Sequence, residues 1–197
     1  MSYRPPPAPT EDRLKLTEAL IREKGTDVPR WARLESLATQ WDARAAMAAE
    51  WIPDGMKVLD VGCGAMALGN FLKPGCTYQP ADVVERCPGC HVVDLNKQEF
   101  PPGHYDWVCL LGVLEYVHDV DWPLKRIAAS APSLLATYCT HIGGEVQTRR
   151  GMGWVNDLTQ KQFEELLVRN GWRIDRVQEV KRGPTNIQLM FSCSSTG

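Results

Sequence analysis

The stretch Val58-Leu59-Asp60-Val61-Gly62-Cys63-Gly64-Ala65-Met66 decides the fold of this 197-residue chain. A short apolar run leads into two glycines, which is the pattern of a buried strand that enters a tight turn. Because glycine has no side chain, the backbone amides of such a turn can approach a ligand closely. Asp82 follows near the end of the next predicted strand, where a carboxylate can accept hydrogen bonds from ribose hydroxyls. Alone, this pattern is compatible with a nucleotide site, NAD included, and with a purely structural turn.

Length and composition describe an ordinary globular protein. The chain is long enough for one domain with some extra length. Hydrophobic residues make up 44% and charged residues 23%, which is too apolar for a disordered chain. The 22 basic and 24 acidic residues leave a net charge of -2, which argues against general nucleic-acid binding.

The apolar segments and the cysteines of the sequence predict a cytoplasmic protein. The longest apolar run, Trp107 to Leu114, is far shorter than the roughly 20 residues that cross a bilayer. The first residues lack the apolar segment of a signal peptide. Seven cysteines, an odd number, in a chain that can build its own core indicate reduced thiols.

The order of predicted elements indicates a mostly parallel α/β sheet that ends in a hairpin. We expect residues 1–10 to form a flexible Pro-rich tail, residues 11–52 a helical extension or cap, and residues 53–197 the main domain. The predicted helices are Glu11–Lys24, Trp31–Ile52, Asp121–Ala131 and one that the capping box of Thr159 and Gln162 opens. The predicted strands are Lys57–Val61, Thr77–Gln79, His91–Val93, Trp107–Leu111, Leu134–Tyr138, Trp172–Val180 and Asn186–Phe191.

Further acidic positions narrow the choice of ligand. Asp60 stands directly before the glycines, where it would repel a pyrophosphate and attract a cationic amino-acid group. Asp94 ends the third predicted strand, and Tyr105 to Val117 form the fourth strand and its exit. With these segments in this order, the sequence from about Trp51 to Phe191 resembles the class I S-adenosylmethionine-dependent methyltransferases of the small-molecule type. The resemblance implies a Rossmann-like, mostly parallel seven-stranded sheet of order 3-2-1-4-5-7-6 with its last strand antiparallel and helices on both faces.

The resemblance also implies a binding site for S-adenosylmethionine. Asp60, Gly62 and Gly64, with Cys63 between the glycines, would surround the methionine part. Asp82 would bind the ribose and Val83 would pack beside the adenine. The remaining implied positions are Asp94 and the Leu95 amide at the adenine amino group, and Leu111 and Gly112 on the far side of the pocket.

The chain departs from the family pattern at three places. Met66 stands where a third glycine is usual, and Tyr116 where histidine is common. Only eight residues separate Asp82 from His91, too few for the usual crossover helix, so we expect a loop there.

Three groups of residues allow competing interpretations. The segment Cys87-Pro88-Gly89-Cys90-His91 formally matches haem attachment and could join Cys76 in a zinc site, but a tight turn with two free thiols is favoured and no metal site is predicted. His141 follows the fifth predicted strand and is equally a catalytic base or a loop histidine. Arg149 and Arg150 could hold an acidic substrate, although a solvated pair is favoured.

The expected function is therefore methyl transfer from S-adenosylmethionine to an O, N or C atom of a small molecule. The alternative is a methyltransferase-like module that binds cofactor or a protein partner without turnover. Asp60 and Asp94 disfavour a nicotinamide oxidoreductase. The sequence specifies neither the acceptor nor the oligomeric state.

Overall fold

The computed structural model describes residues 10–37, 41–144 and 146–197. Seven strands form one sheet: β1 Lys57–Val61, β2 Thr77–Asp82, β3 His91–Val92, β4 Trp107–Leu111, β5 Ser133–His141, β6 Trp172–Arg182 and β7 Asn186–Ser195. The α-helices are α1 Glu11–Glu23, α2 Val28–Trp31, α3 Asp42–Trp51, α4 Asp121–Ala128, α5 Val146–Gly151 and α6 Gln160–Arg169. Single 3-10 turns occur at Leu34–Ser36, Ala67–Asn70, Leu95–Lys97 and Leu114–Tyr116.

The sheet has the order β3-β2-β1-β4-β5-β7-β6, which confirms the predicted topology. Strands β1 to β5 pair in parallel, and β7 runs antiparallel to both of its neighbours. The central strands β1 and β4 are buried along almost their whole length, as expected for strands covered on both faces. Their carboxyl ends therefore meet at one edge in the middle of the sheet.

Side chains that alternate along each strand build two cores, one on each face of the sheet. On one face, Leu59 and Val61 of β1 pack with apolar residues of α4 and α6. On the other face, Val58 packs with the alanines of α3. Because Asp60 is two residues from Val58, its side chain lies on the face that α3 covers.

The predicted single helix from Trp31 to Ile52 is wrong. The chain forms α2, then a 3-10 turn at Leu34–Ser36, and only later α3. Arg33 has an extended backbone, and the side chain of Leu34 is 76% exposed, so the apolar period does not continue across this stretch. Trp31 instead packs edge-on against Tyr116, with the ring centroids 4.9 Å apart, and this tertiary contact outweighs the helical pattern. Ala38, which the pattern also used, lies outside the described residues.

The other boundaries follow the prediction with local differences. No helix stands between β2 and β3 in the described chain, so the expected loop is confirmed. Strand β5 continues to His141, so this residue ends the strand and does not follow it. The capping box of Thr159 and Gln162 is present at the start of α6. The predicted tail lies almost entirely outside the described residues, and the division of the chain at residue 52 stays a prediction.

Residues 11–31, which we call the N-terminal arm, dock onto the segment around α5. The buried Thr17 hydroxyl is 2.8 Å from the Arg150 carbonyl oxygen and 2.9 Å from that of Arg13. Arg30 donates a hydrogen bond of 2.8 Å to the Met152 carbonyl. The arm is thus tied to residues more than 100 positions later in the chain. In the described ranges, every helix is too short or too polar to cross a membrane.

Candidate functional site

A cleft opens where β1, β2 and β4 end at the middle of the sheet. Ligands of α/β proteins bind at this kind of position, where the strand order reverses. The cleft encloses about 1030 Å³ of space not filled by atoms, its open mouth included. All ten residues predicted to bind the cofactor line it: Asp60, Gly62, Cys63, Gly64, Asp82, Val83, Asp94, Leu95, Leu111 and Gly112.

The glycine turn after β1 is fixed by backbone hydrogen bonds to β2. The amides of Gly62 and Cys63 donate to the Ala81 carbonyl at 2.8 and 3.1 Å. Gly62 has φ +75°, and a Cβ atom there would lie 2.3 Å from Cγ2 of Val113. Only glycine therefore suits this position in both conformation and space.

Met66, which replaces the usual third glycine, keeps a left-handed backbone with φ 58°. Its amide donates to the Cys63 carbonyl at 2.7 Å and closes the turn. The departure from the family pattern thus changes the side chain and leaves a conformation that glycine adopts easily.

Asp60 is a buried carboxylate at the inner end of the cleft. Its Oδ2 atom accepts a hydrogen bond of 2.8 Å from the Tyr78 hydroxyl. Burial raises the pKa of Asp60 to about 6, although the Tyr78 hydrogen bond and the charge of Arg44 act in the opposite direction. The ionised form of Asp60 is therefore short of positive partners and would gain from a cation in the cleft.

Arg44 of α3 brings a guanidinium group into the same part of the cleft. It lies 5.6 Å from the centre of the Trp41 ring, and a Cβ atom on Gly112 would be 2.5 Å from its Nη1. Burial lowers the pKa of Arg44, and the charges of nearby acidic groups, Glu115 first, oppose this. Among the described residues, the buried Nε of Arg44 has no hydrogen-bond partner. Sequence reasoning missed Arg44, although a charged residue three positions after Trp41 on an apolar helix face was a usable signal.

Asp82 is already surrounded by donors. Its Oδ2 accepts from the Gly64 amide at 2.8 Å, and its Oδ1 from the Val84 amide at 3.3 Å. The Nη2 atom of Arg86, which also lines the cleft, lies 3.2 Å from the same Oδ1. Both side chains of this ion pair are less than a tenth exposed. Arg86 was also missed, and its place four residues after Asp82 gave only a weak signal.

The N-terminal arm closes the cleft at Asp94. The Thr26 hydroxyl donates to Asp94 Oδ1 at 2.7 Å, and the backbone N–H of Asn96 donates to the same oxygen at 3.0 Å. The side chain of Asn96 in turn contacts Thr26 and the Tyr116 carbonyl. No sequence pattern connects Thr26 to Asp94, because the two residues are 68 positions apart.

Aromatic side chains also line the cleft. Trp31, Trp41 and Tyr116 all face it, and Arg30 lies 4.7 Å from the centre of the Trp31 ring. These rings are large apolar surfaces that can contact a small molecule and exclude water.

His141 does not line the cleft. Its amide donates to the Leu158 carbonyl at 2.8 Å, and within the described ranges its buried Nδ1 has no partner.

Neither interpretation of the arginine pair holds for Arg149, which is fully buried. Its guanidinium binds Asp157 and the carbonyls of Cys139 and Asn156, so its role is structural.

The two thiols of the Cys87–Cys90 segment flank a tight turn. The Cys90 amide donates to the Cys87 carbonyl at 3.0 Å, as in a β-turn. All seven cysteines are free thiols. Among the described residues, no three histidine, cysteine or acidic side chains lie in an arrangement that could hold a metal ion.

Comparison with known proteins gives one family and several similar folds. A family model described as a methyltransferase domain matches residues 31–177. A search of curated protein sequences found no match. A 1,6-didemethyltoxoflavin N1-methyltransferase from Burkholderia thailandensis, solved with its substrate and S-adenosylhomocysteine, is 19% identical with a TM-score of 0.64, over 100% of this chain and 94% of that one.

Two further structures share the fold. A mitomycin 7-O-methyltransferase is 18% identical with a TM-score of 0.63; the alignment covers 91% of this chain but only 60% of the longer enzyme. The cyclase SpnF is 15% identical with a TM-score of 0.61, over 78% of this chain and 80% of that one. The same architecture thus occurs in proteins whose names state different reactions.

Proposed function

The chain belongs to the methyltransferase domain family, whose methyl donor is S-adenosylmethionine, and we propose that it transfers the methyl group of this cofactor to a small-molecule acceptor. The observation that carries the proposal is the arrangement of charges at one end of the cleft. Asp60 of β1 and Arg44 of α3 both line the cleft, and their opposite charges lie close enough to interact. The amino-acid end of the cofactor bears an ammonium and a carboxylate group, which are complementary to this pair.

The residues present suit each part of the cofactor. The Asp60 carboxylate would accept from the ammonium group, and the Arg44 guanidinium would donate to the carboxylate. Asp82 would accept hydrogen bonds from the ribose, and Val83 and Leu95 would contact the adenine. Asp94 has Thr26 and Asn96 on one oxygen, while the partner of its other oxygen among the described residues is Lys97 at 3.9 Å, so it can accept from the adenine amino group.

The chemistry asks little of the protein beyond positioning. The cofactor supplies a methyl group that is already activated on a sulfonium sulfur. The cleft residues would hold the acceptor in line with that methyl group and exclude water, which is where most of the rate acceleration arises. Trp31, Trp41 and Tyr116 supply the apolar walls for this task. The solved relatives act on small organic molecules according to their names, and we propose the same class of acceptor here.

We propose His141 as the residue that takes a proton from the acceptor. Its buried Nδ1 lacks a partner in the described chain, and it ends β5, the strand next to β4. General-base catalysis contributes about 10²–10⁴-fold, so His141→Ala should lower the turnover rate by that factor and leave the dissociation constant of S-adenosylhomocysteine unchanged. Full activity in this variant would exclude the role. Lost cofactor binding would show that His141 shapes the pocket.

The test of the proposed function is ligand-dependent thermal stability. A ligand at a hundred times its dissociation constant adds about 2.7 kcal/mol to the free energy of unfolding, which raises the melting temperature measurably. S-adenosylmethionine and S-adenosylhomocysteine should produce this rise, and NAD should not. A rise with NAD alone would overturn the assignment. Turnover is then tested with a panel of small aromatic acceptors, and the release of S-adenosylhomocysteine measures methyl transfer.

A binding module without turnover is the second candidate. The observation in its favour is that His141 lies outside the cleft, so no imidazole in the described chain faces the cofactor site. Cofactor binding without turnover across the acceptor panel would favour it. We also propose that the protein acts in the cytoplasm, with residues 53–197 as the methyltransferase domain and residues 11–52 as its cap.

A further inference from the structure

Asp82 has fewer free acceptor positions than a ribose requires. A carboxylate offers about four lone-pair positions to hydrogen-bond donors. Within the part of the chain that the structure describes, three are in use: the amides of Gly64 and Val84 and the guanidinium of Arg86 each occupy one. One position remains, on Oδ2, whereas two adjacent ribose hydroxyls that both donate to Asp82 need two.

One of the three present contacts must therefore open when a ribose binds. The Gly64 contact is the shortest, at 2.8 Å, and belongs to a backbone turn that Ala81 also fixes. The Val84 amide lies only two residues from Asp82 and cannot move far. The Arg86 contact is made by a flexible side chain through a single nitrogen at 3.2 Å, so it is the one that can give way.

We propose that Arg86 is a specificity-determining residue that occupies the place of one ribose hydroxyl on Asp82. This inference rests on the proposed function, because it assumes that a nucleoside ribose binds at Asp82. When the ligand has both hydroxyls, one of them displaces Arg86. When the ligand lacks that hydroxyl, Arg86 keeps its contact and the carboxylate stays neutralised. Arg86 thus reduces the penalty for a missing hydroxyl and makes the site tolerant of deoxyribose.

The experiment compares discrimination between ligands in two proteins. Calorimetry gives the dissociation constants of S-adenosylhomocysteine and its 2′-deoxy and 3′-deoxy analogues for the wild type and for Arg86→Met. For at least one of the two hydroxyls, we expect its removal from the ligand to raise the dissociation constant of the wild type by at most about threefold. In Arg86→Met the same removal should raise the dissociation constant about tenfold or more, because a hydrogen bond to a charged group is commonly worth at least that factor.

The controls separate this effect from general damage. Arg22→Met removes the same charge from an exposed position on α1. In this variant, the ratio of the dissociation constant of each deoxy analogue to that of S-adenosylhomocysteine should stay at the wild-type value. If Arg86→Met does not fold, Arg86→Leu, which also lacks a donor, serves the same comparison, and its discrimination must exceed that of the wild type. Equal ratios in the wild type and in the Arg86 variant overturn the role of Arg86. Failure of S-adenosylhomocysteine to bind the wild type overturns the proposed function instead.

Discussion

Asp60 makes the cleft sensitive to pH at the scale of a single residue. Its pKa is raised from 3.8 to about 6, first of all by burial. The folded protein therefore binds a proton that the unfolded chain releases above pH 4. The stability that protonation of Asp60 contributes to the folded state is present below pH 4 and is lost as the pH rises through 6.

Binding of a ligand ammonium group should have the opposite pH dependence, because the ammonium favours ionised Asp60. We expect the affinity for S-adenosylhomocysteine to increase as the pH rises from 5 to 7, by up to about tenfold per pH unit below the pKa. Calorimetry across this range measures it. Asp60→Asn, which cannot ionise, should bind more weakly and show a flat profile over the same range. A flat profile in the wild type would contradict the proposed contact.

Two glycines with nearly the same φ angle separate backbone strain from crowding. Gly55 and Gly62 have φ of +74° and +75°, but a Cβ atom at Gly55 would meet nothing within 4 Å, whereas one at Gly62 would clash with Val113. Gly55→Ala should lower the free energy of unfolding by about 1 kcal/mol from strain alone. Gly62→Ala should cost about 1–3 kcal/mol more and weaken cofactor binding. Denaturant titration of both variants checks this, and equal losses would show that the clash relaxes without cost.

Single residues also show how far the sequence could predict the site. All ten positions predicted to bind the cofactor lie in segments next to the carboxyl ends of strands, where a local pattern fixes both the element and the direction of the side chain. Sequence patterns did not identify Arg44, Arg86 and Thr26. The role of each depends on the position that α3, the loop after β2 or the N-terminal arm takes in the folded protein. Such placements are tertiary, and no local spacing encodes them.

At the scale of elements, the N-terminal arm joins the stability of the chain to the cofactor site. Thr17 and Thr26 belong to the same arm, but only Thr26 lines the cleft. Thr17→Val should lower the free energy of unfolding by about 1–3 kcal/mol, because the Arg150 carbonyl loses a buried donor, and should leave cofactor affinity nearly unchanged. Thr26→Val should weaken cofactor binding several-fold, because Asp94 loses one of the two donors that orient its Oδ1 atom. Thermal melting and calorimetry distinguish the two, and the same change in affinity for both would contradict the division of roles.

The elements also explain which predictions succeeded. Strands β1 and β4 and helix α6 have strong local signals, namely apolar runs and a capping box, that agree with their tertiary contacts. The stretch that begins at Trp31 has an equally regular apolar pattern, but Trp31 packs against Tyr116 and Leu34 is exposed to solvent. A helical period is therefore informative only where a partner surface lies along its whole length.

At the scale of the whole molecule, the last strand completes the sheet from within. Strand β7 lies between β5 and β6 and pairs with all nine residues of β5. Leu189 and Phe191 pack in one core and Met190 in the other. The two faces of the sheet therefore both depend on the end of the chain.

A chain that stops after Asn170 should not fold. It loses several large buried side chains, each worth about 1.5–3 kcal/mol, and leaves the edge of β5 exposed. This loss is comparable with the whole free energy of unfolding of a typical domain. Circular dichroism and thermal melting beside the full chain measure the effect. A cooperative transition in the shortened chain would show that the remaining strands form an independent unit.

The docking of the N-terminal arm is completed only after Arg150 has been synthesised. Thr17 leaves the ribosome 133 residues before Arg150, to which it is tied in the folded protein. At typical elongation rates, this separation is a delay of roughly 7–27 s. During that interval Thr17 lacks the Arg150 carbonyl to which it is tied in the folded protein. The arm therefore completes its docking only on the timescale of translation, and until then its contact surface for α5 is open to a molecular chaperone.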